Sequence, residues 1–330
     1  MDIIKRDGTR VPFEKEKIER AIAKSFASVD SLVSDEKLSQ MGDKIVATIK
    51  EKYPKDHTVS VEEVQDLVEL TLIDENYYRE VKSFILYRAK HNMDRKVMSD
   101  FEQYITDKEI LDILSKVQSE FDNQRYPIDS LYFKFESFTK DNMSEEELLN
   151  ALTRAASELT SKETPDWEII AARFLMHEID LEIKRNEERY DIVDFKSKID
   201  YLTHAGLYGA YIKESYSSAD IDELEAYLKK ERDDLFTFSG LDLVKKRYLI
   251  RTFTGDIIES VQEMFMGIAM HLAIPEKDRV AFAKRLYDIL SSLKATMATP
   301  TMTNARKPFN QLSSCFIDTV PDTLKGIYRS

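Results

Sequence analysis

Apolar residues recur along most of this chain with the period of an α-helix. Ile18, Ile22 and Phe26 fall at i, i+4 and i+8, which predicts a helix from about Glu16. A second helical run spans residues 34–52. Ser60 with Glu63 three residues on is a capping box, and Val64, Leu67, Val68 and Leu72 form the apolar face of the helix it starts. A fourth helix carries Tyr78, Val81, Ile85 and Tyr87-Arg88. Two further boxes, Thr106/Glu109 and Ser144/Glu147, predict helices near 107–120 and 144–160. In Thr164-Pro165-Asp166-Trp167 a cap, a first-position proline and an acid at the positive dipole end start a helix over 165–185. Asp220 with Glu223 caps another into Leu228. A Met-rich helix begins near Glu259, with Met264, Ile268 and Leu272 as a core stripe. After Pro275 a helix runs over 278–293, with Phe282, Leu286 and Ile289 on one face.

Period-two segments are few. Ile3-Ile4-Lys5-Arg6, Asp7-Gly8 and Thr9-Arg10-Val11-Pro12-Phe13 read as a β-hairpin on a type I′ turn, with Pro12 confining its strand to an edge. Residues 248–251 and 256–258 read as hairpin strands around Thr254-Gly255. Residues 91–96 read as a charged link between modules.

Composition narrows the class. At 330 residues there is room for two or three domains. Only 8 Gly and 8 Pro argue for helices over an all-β protein. The net charge of −13 disfavours a broad nucleic-acid or membrane surface but leaves room for a local basic pocket around a nucleotide phosphate. No apolar run is long enough to span a bilayer, and charges from Asp2 and Lys5 onward are not a signal peptide. A cytoplasmic protein is therefore expected. His57, His91, His177, His204 and His271 are scattered, so no metal site is expected in this chain.

The candidate chemistry lies at 299–315. The stretch is rich in hydroxyls and broken by Pro300 and Pro308, which argues against a regular helix there. It ends at Cys315, the only cysteine, followed by Phe316 and Ile317. A loop running into a short strand would put a thiol beside two serines. The alternative is a buried free cysteine of no chemical consequence.

Ala298-Thr299-Pro300 followed by Gln311-Leu312-Ser313-Ser314-Cys315 resembles the first barrel strand and loop in the large (α) subunit of class I, aerobic ribonucleotide reductases. The resemblance implies that Cys315 is one of two thiols oxidised to a disulfide as a nucleotide is reduced. It implies that Thr299 and Ser314 help hold the substrate diphosphate and ribose, and that Asp322 and Leu324 belong to the site of a specificity effector. Residues 1–93, a hairpin with Lys-Arg before its turn and four helices ending in Ile-Leu-Tyr-Arg, resemble the ATP-cone of such chains. By that likeness Lys5, Arg6 and Lys17 bring positive charge to a triphosphate, and Ile3, Val11, Val61, Gln65 and Lys90 line the rest of an ATP/dATP pocket. Gln65 stands where some family members carry an acidic or imidazole side chain. The run from Pro165 to Arg173 resembles the segment leading into the reductase barrel, with Trp167 as core. There is no Walker-type glycine loop and no zinc-ribbon cysteine set, which disfavours a cone-bearing transcriptional repressor.

The expected fold is therefore predominantly α with α/β elements: an ATP-cone over 1–93, a helical connector over 94–185, and over 186–330 the first part of a ten-stranded α/β barrel. The resemblance implies radical and thiol reduction of ribonucleoside diphosphates to 2′-deoxyribonucleotides, with ATP and dATP as allosteric effectors. It implies a small (β) subunit whose metal centre supplies the radical, a thioredoxin- or glutaredoxin-type reductant, and an α homodimer or higher oligomer. With one cysteine, the radical thiol, the second redox thiol and the tail pair must come from the remaining C-terminal part of the α chain. The sequence is then a truncated chain or one half of a split subunit. Two other readings are a stand-alone ATP/dATP-binding regulator and a helical scaffold that binds no nucleotide.

Overall fold

A computed structural model describes residues 2–5, 8–54, 58–315, 317 and 319–329. Arg6, Asp7, His57 and Phe316, all named above, lie outside the described residues. Contacts divide the chain into two units, Met1–Ser99 and Asp100–Ser330.

In the first unit β1 (Asp2–Ile4) pairs antiparallel with β2 (Arg10–Pro12), Ile3 opposite Val11. β2 is an edge strand, where Pro12 costs no ladder bond. Gly8 N–H donates to the Lys5 carbonyl at 2.9 Å and Lys5 N–H to the Thr9 carbonyl at 2.8 Å, which ties the two strands together at this end. Gly8 has φ 80°, a left-handed conformation open to glycine, and the expected type I′ turn rests on Asp7, outside the described residues. Four helices follow: α1 (Lys15–Ala27), α2 (Asp35–Lys52), α3 (Val61–Asp74) and α4 (Tyr78–Phe101). The Ser60/Glu63 capping box forms as read. Pattern reading missed β3 (Val59–Ser60), two residues that pair parallel to β1 and bring the start of α3 beside the hairpin. Residues 91–96 are not a link but the middle of α4. Ile22, Phe26, Ile45, Leu67 and Leu72 make the core. Arg88 on α4 donates to the carboxylates of Glu62, Asp66 and Glu69 on α3. Burial opposes its charge, but those three acids hold the guanidinium pKa above its ordinary value.

The second unit is helical: α5 (Lys108–Glu120), α6 (Ile128–Glu136), α7 (Glu145–Glu158), α8 (Trp167–Tyr190), α9 (Phe195–His204), α10 (Ala210–Ser215), α11 (Ser218–Glu225), a 3-10 turn (Lys230–Leu235), α12 (Phe238–Arg247), α13 (Val261–Ala273), α14 (Arg279–Ser291), α15 (Thr299–Asn304) and α16 (Leu324–Arg329). α8 packs on both α7 and α12, and α13 packs on α14. One core runs from Ala172 through Met264 and Tyr287 to Ala305, and Trp167 is buried as expected.

Several local readings are corrected. α5 is capped by Asp107, while Thr106 donates to Glu145 instead. α8 begins at Trp167, with Asp166 rather than Thr164 at its cap. α11 is capped by Ser217 with Asp220 at the third position, three residues earlier than read. The buried face of α14 is Ala283, Tyr287 and Leu290, one residue off the expected stripe, and Ile289 is exposed. The expected hairpin at 248–258 contracts to a single antiparallel bridge between Arg251 and Ile257. Residues 299–304 are helical after all, because Pro300 stands in the first turn, where a missing N–H breaks nothing. Among the described residues no strand forms around Cys315.

Candidate functional site

The first candidate site lies in the first unit. Ile3 and Val11 face one another across β1 and β2, and β3 delivers Val61 at the start of α3, with Gln65 one turn further on. All four are half-buried, Lys5 is exposed just past β1, and Lys90 is half-buried on α4. The hairpin, the parallel strand and the first turn of α3 thus gather Ile3, Val11 and Val61. Lys17, in the first turn of α1, is exposed and pairs with Glu14 at 2.9 Å. Lys17 also lines a cleft of about 370 Å³ between α1 and α4, together with Arg20, Lys24, Ser25, Ser83 and Tyr87. Arg20 and Lys24 were not singled out from the sequence. The signal was there: Lys17, Arg20 and Lys24 recur at i, i+3 and i+7, one face of a helix.

The second candidate site is the segment from Thr299 to Cys315. Its base is fixed by a fully buried arginine. Arg306 donates from Nε to Glu259 at 2.5 Å and from Nη2 to the other oxygen of the same carboxylate. It donates from Nη1 to the Met302 carbonyl at 2.8 Å and from Nη2 to the Tyr248 carbonyl at 2.7 Å. Burial opposes the charge on Arg306, but Glu259 offsets it and the guanidinium pKa is raised. Tyr208 donates to Glu259 at 2.7 Å, and burial pushes its phenol well up. Tyr211 donates to the Ala305 and Lys307 carbonyls, and Asn304 closes the loop onto the Gln311 carbonyl at 2.9 Å.

From that anchored base the chain runs out to solvent. Cys315 is a free, exposed thiol. Ser314 Oγ lies 3.8 Å from its sulfur, and Ser313 Oγ donates to the Cys315 carbonyl at 3.1 Å. The buried-cysteine alternative does not hold. Ser314 and Cys315 are together as read, whereas the Thr299 hydroxyl, also exposed, is engaged by Tyr248 at 3.3 Å. Tyr248 was not a sequence candidate, because 51 residues separate the pair and no local pattern links them. Asp322 and Leu324 are exposed, beside and at the start of α16. Among the described residues no group of His, Cys, Asp or Glu could hold a metal ion, and no helix is long and apolar enough to cross a membrane.

A small hairpin-and-helix unit and a helical unit that carries an exposed thiol between α15 and α16 define the class, and comparison with known proteins shows what the chain is similar to. The model of the ATP cone domain matches residues 1–93, and that of the ribonucleotide reductase all-alpha domain matches residues 234–310. The chain is similar over its whole length to the ribonucleoside-diphosphate reductase subunit alpha of Treponema pallidum, 45% identical, covering 40% of that protein. It is 28% identical to the same-named subunit of Chlamydia muridarum, again over all of this chain and 34% of the relative. The phage T4 subunit is 34% identical over 61% of this chain and 26% of its own length. The chain is thus similar to ribonucleotide reductase α subunits over its whole length, and it spans less than half the length of these relatives.

Proposed function

We propose that this chain is the N-terminal portion of a ribonucleoside-diphosphate reductase α subunit, with an effector-binding cone over residues 1–93. The single observation that carries the reading is the exposed Cys315 beside Ser314, at the end of a loop clamped by Arg306, in a chain that aligns throughout with reductase α subunits. Residues 94–185 act as a helical connector, and 186–330 lead into the catalytic barrel. Reduction removes the ribose 2′-hydroxyl as water and takes two electrons from two thiols, which join as a disulfide. Cys315 is one of them. This chain has no other cysteine, so the second thiol is supplied from beyond its residues, with the two Cα atoms about 4.4–6.8 Å apart in the disulfide. Ser314 and Thr299 hold substrate oxygens, and Asp322 and Leu324 serve the specificity effector. The radical that opens the reaction comes from a metal-bearing small subunit, and a thioredoxin- or glutaredoxin-type protein restores the thiols.

In the cone, Ile3, Val11, Val61 and Gln65 form the apolar and polar walls, and Lys5, Arg6, Lys17 and Lys90 supply charge for the phosphates of ATP or dATP. Binding then shifts assembly by differing in affinity between two states of the enzyme.

Two measurements test this. Calorimetry of the chain with dATP is expected to show binding that Lys5→Ala with Lys17→Ala weakens at least tenfold; no binding, or binding indifferent to both lysines, refutes the cone assignment. Reconstitution with the remaining α sequence and the small subunit is expected to give turnover that Cys315→Ser abolishes while dATP binding stays intact. Turnover that survives Cys315→Ser with a dithiol protein as reductant removes the role given to the thiol.

A further inference from the structure

Tyr248 and Thr299 stand on separate segments that a single buried cation ties together. Arg306 Nη2 donates to the Tyr248 carbonyl, and Nη1 of the same guanidinium donates to the Met302 carbonyl, one turn into α15 from Thr299. Glu259, which neutralises Arg306, also accepts from the Ile250 N–H at 3.1 Å. Just upstream, Arg251 donates to the Lys245 carbonyl at 2.9 Å. The backbone around Tyr248 is thus held by side-chain bonds on both sides, and α15 is held by the Arg306 bond to the Met302 carbonyl. Out of this frame the two side chains reach towards each other. Tyr248 is half-buried, Thr299 is exposed, and their hydroxyl oxygens are 3.3 Å apart.

A contact between two hydroxyls uses one of their two hydrogens. The phenol is the more acidic and therefore the better donor. With the Tyr248 O–H directed at Thr299 Oγ1, the threonine keeps its own hydrogen free to donate, and the chain of two bonds strengthens that donation. At 3.3 Å the pair is longer than a tight hydroxyl bond.

We propose that Tyr248 is a substrate-positioning residue: it orients the Thr299 hydroxyl to donate to a phosphate oxygen of a ribonucleoside diphosphate. The inference rests on the reading of Thr299 as a substrate-binding residue given above.

The test uses the reconstituted holoenzyme and three variants: Tyr248→Phe, Thr299→Val and both together. Phenylalanine keeps the ring, so the melting temperature is expected to stay within about 2 °C, a shift that corresponds to a small change in stability. Tyr248→Phe and Thr299→Val are each expected to raise KM for the diphosphate about 3- to 10-fold, as loss of one hydrogen bond does, with kcat within about twofold. The double variant is expected to be no worse than Thr299→Val alone, since the tyrosine acts through the threonine. If Thr299→Val raises KM and Tyr248→Phe does not, the positioning role is overturned and the substrate site stands. If neither changes KM, the reading of Thr299 fails and takes this inference with it. If the two effects multiply, Tyr248 acts independently of Thr299 and the inference is wrong.

Discussion

Gly267 sits inside α13, where an alanine would ordinarily add about 1 kcal/mol of helix stability. Here a Cβ would lie 2.8 Å from Arg306 Cδ and 2.8 Å from Tyr208 Oη, both buried. Gly267→Ala is therefore expected to destabilise the chain by about 1–3 kcal/mol, measured as a lower urea midpoint at unchanged slope. A neutral or stabilising alanine would mean that the Arg306 cluster gives way easily. At the same scale, Arg306→Lys is not conservative. Lysine cannot span Glu259 and the carbonyls of Met302 and Tyr248 at once, and a loss of about 3–5 kcal/mol is expected. Nothing in the sequence singled out Arg306, Glu259 or Gly267. Each is set by a contact across many residues, and a charged side chain reads as surface until its partner is seen. Cys315 was legible for the opposite reason: a lone thiol between short, named neighbours is a local pattern.

Among the elements, what was legible followed local chemistry. The Ser60/Glu63 and Ser144/Glu147 boxes formed as read, because both halves of each box are in the sequence. The starts of α9 and α11 escaped or slipped, because Ser197 and Asp220 close those boxes in place of the usual Glu or Gln. β3 could not be seen, since two residues carry no period and its partner is 56 positions away. Nor could the run-on of α4 through its charged middle, where polarity was mistaken for a break. The cap of α13 offers a test of two roles in one carboxylate. Glu263 accepts from the Ser260 N–H at 2.7 Å, completing a capping box, and also from buried Lys198 at 2.7 Å. Burial opposes the charge on Lys198, but Glu263 and Glu187 more than compensate and its pKa is raised. Ser260→Ala removes the cap alone and is expected to cost about 1 kcal/mol. Glu263→Ala also strips a buried cation of its main partner and is expected to cost about 3–5 kcal/mol. Equal losses in chemical denaturation would show that Lys198 finds sufficient compensation in Glu187.

For the whole molecule, pH couples to stability through groups of opposite sign. Asp288, Asp107 and Asp194 have carboxyl pKa values below the ordinary range. For Asp288 and Asp107 burial works the other way and is outweighed by hydrogen bonds, from Tyr227, Lys229 and Arg232 to the first and from His177 and the Glu109 N–H to the second. The stability these three contribute is present above the unfolded-state pKa and lost as pH falls through the folded one. His271, its pKa lowered by burial, likewise favours the fold only while neutral, so it too weakens the fold on acidification. Asp233 runs the other way. Burial pushes its carboxyl up to about 6, with Asp180 adding to the rise and a 2.6 Å hydrogen bond from Gln262 opposing it. Its folded pKa exceeds the unfolded value, so its contribution is full below about pH 4 and is lost as pH rises through about 6. The loss amounts to roughly 3 kcal/mol at most for a shift of about two units. Asparagine keeps the acceptor for Gln262 without the charge. Asp233→Asn is expected to match the parent near pH 4 and to exceed it at pH 7.5, so the difference between their denaturation free energies opens between those limits. Taking the difference cancels His271 and the lowered acids, which are common to both chains. Two curves that stay parallel from pH 4 to 7.5 would show that Asp233 ionises in the folded chain as freely as in water.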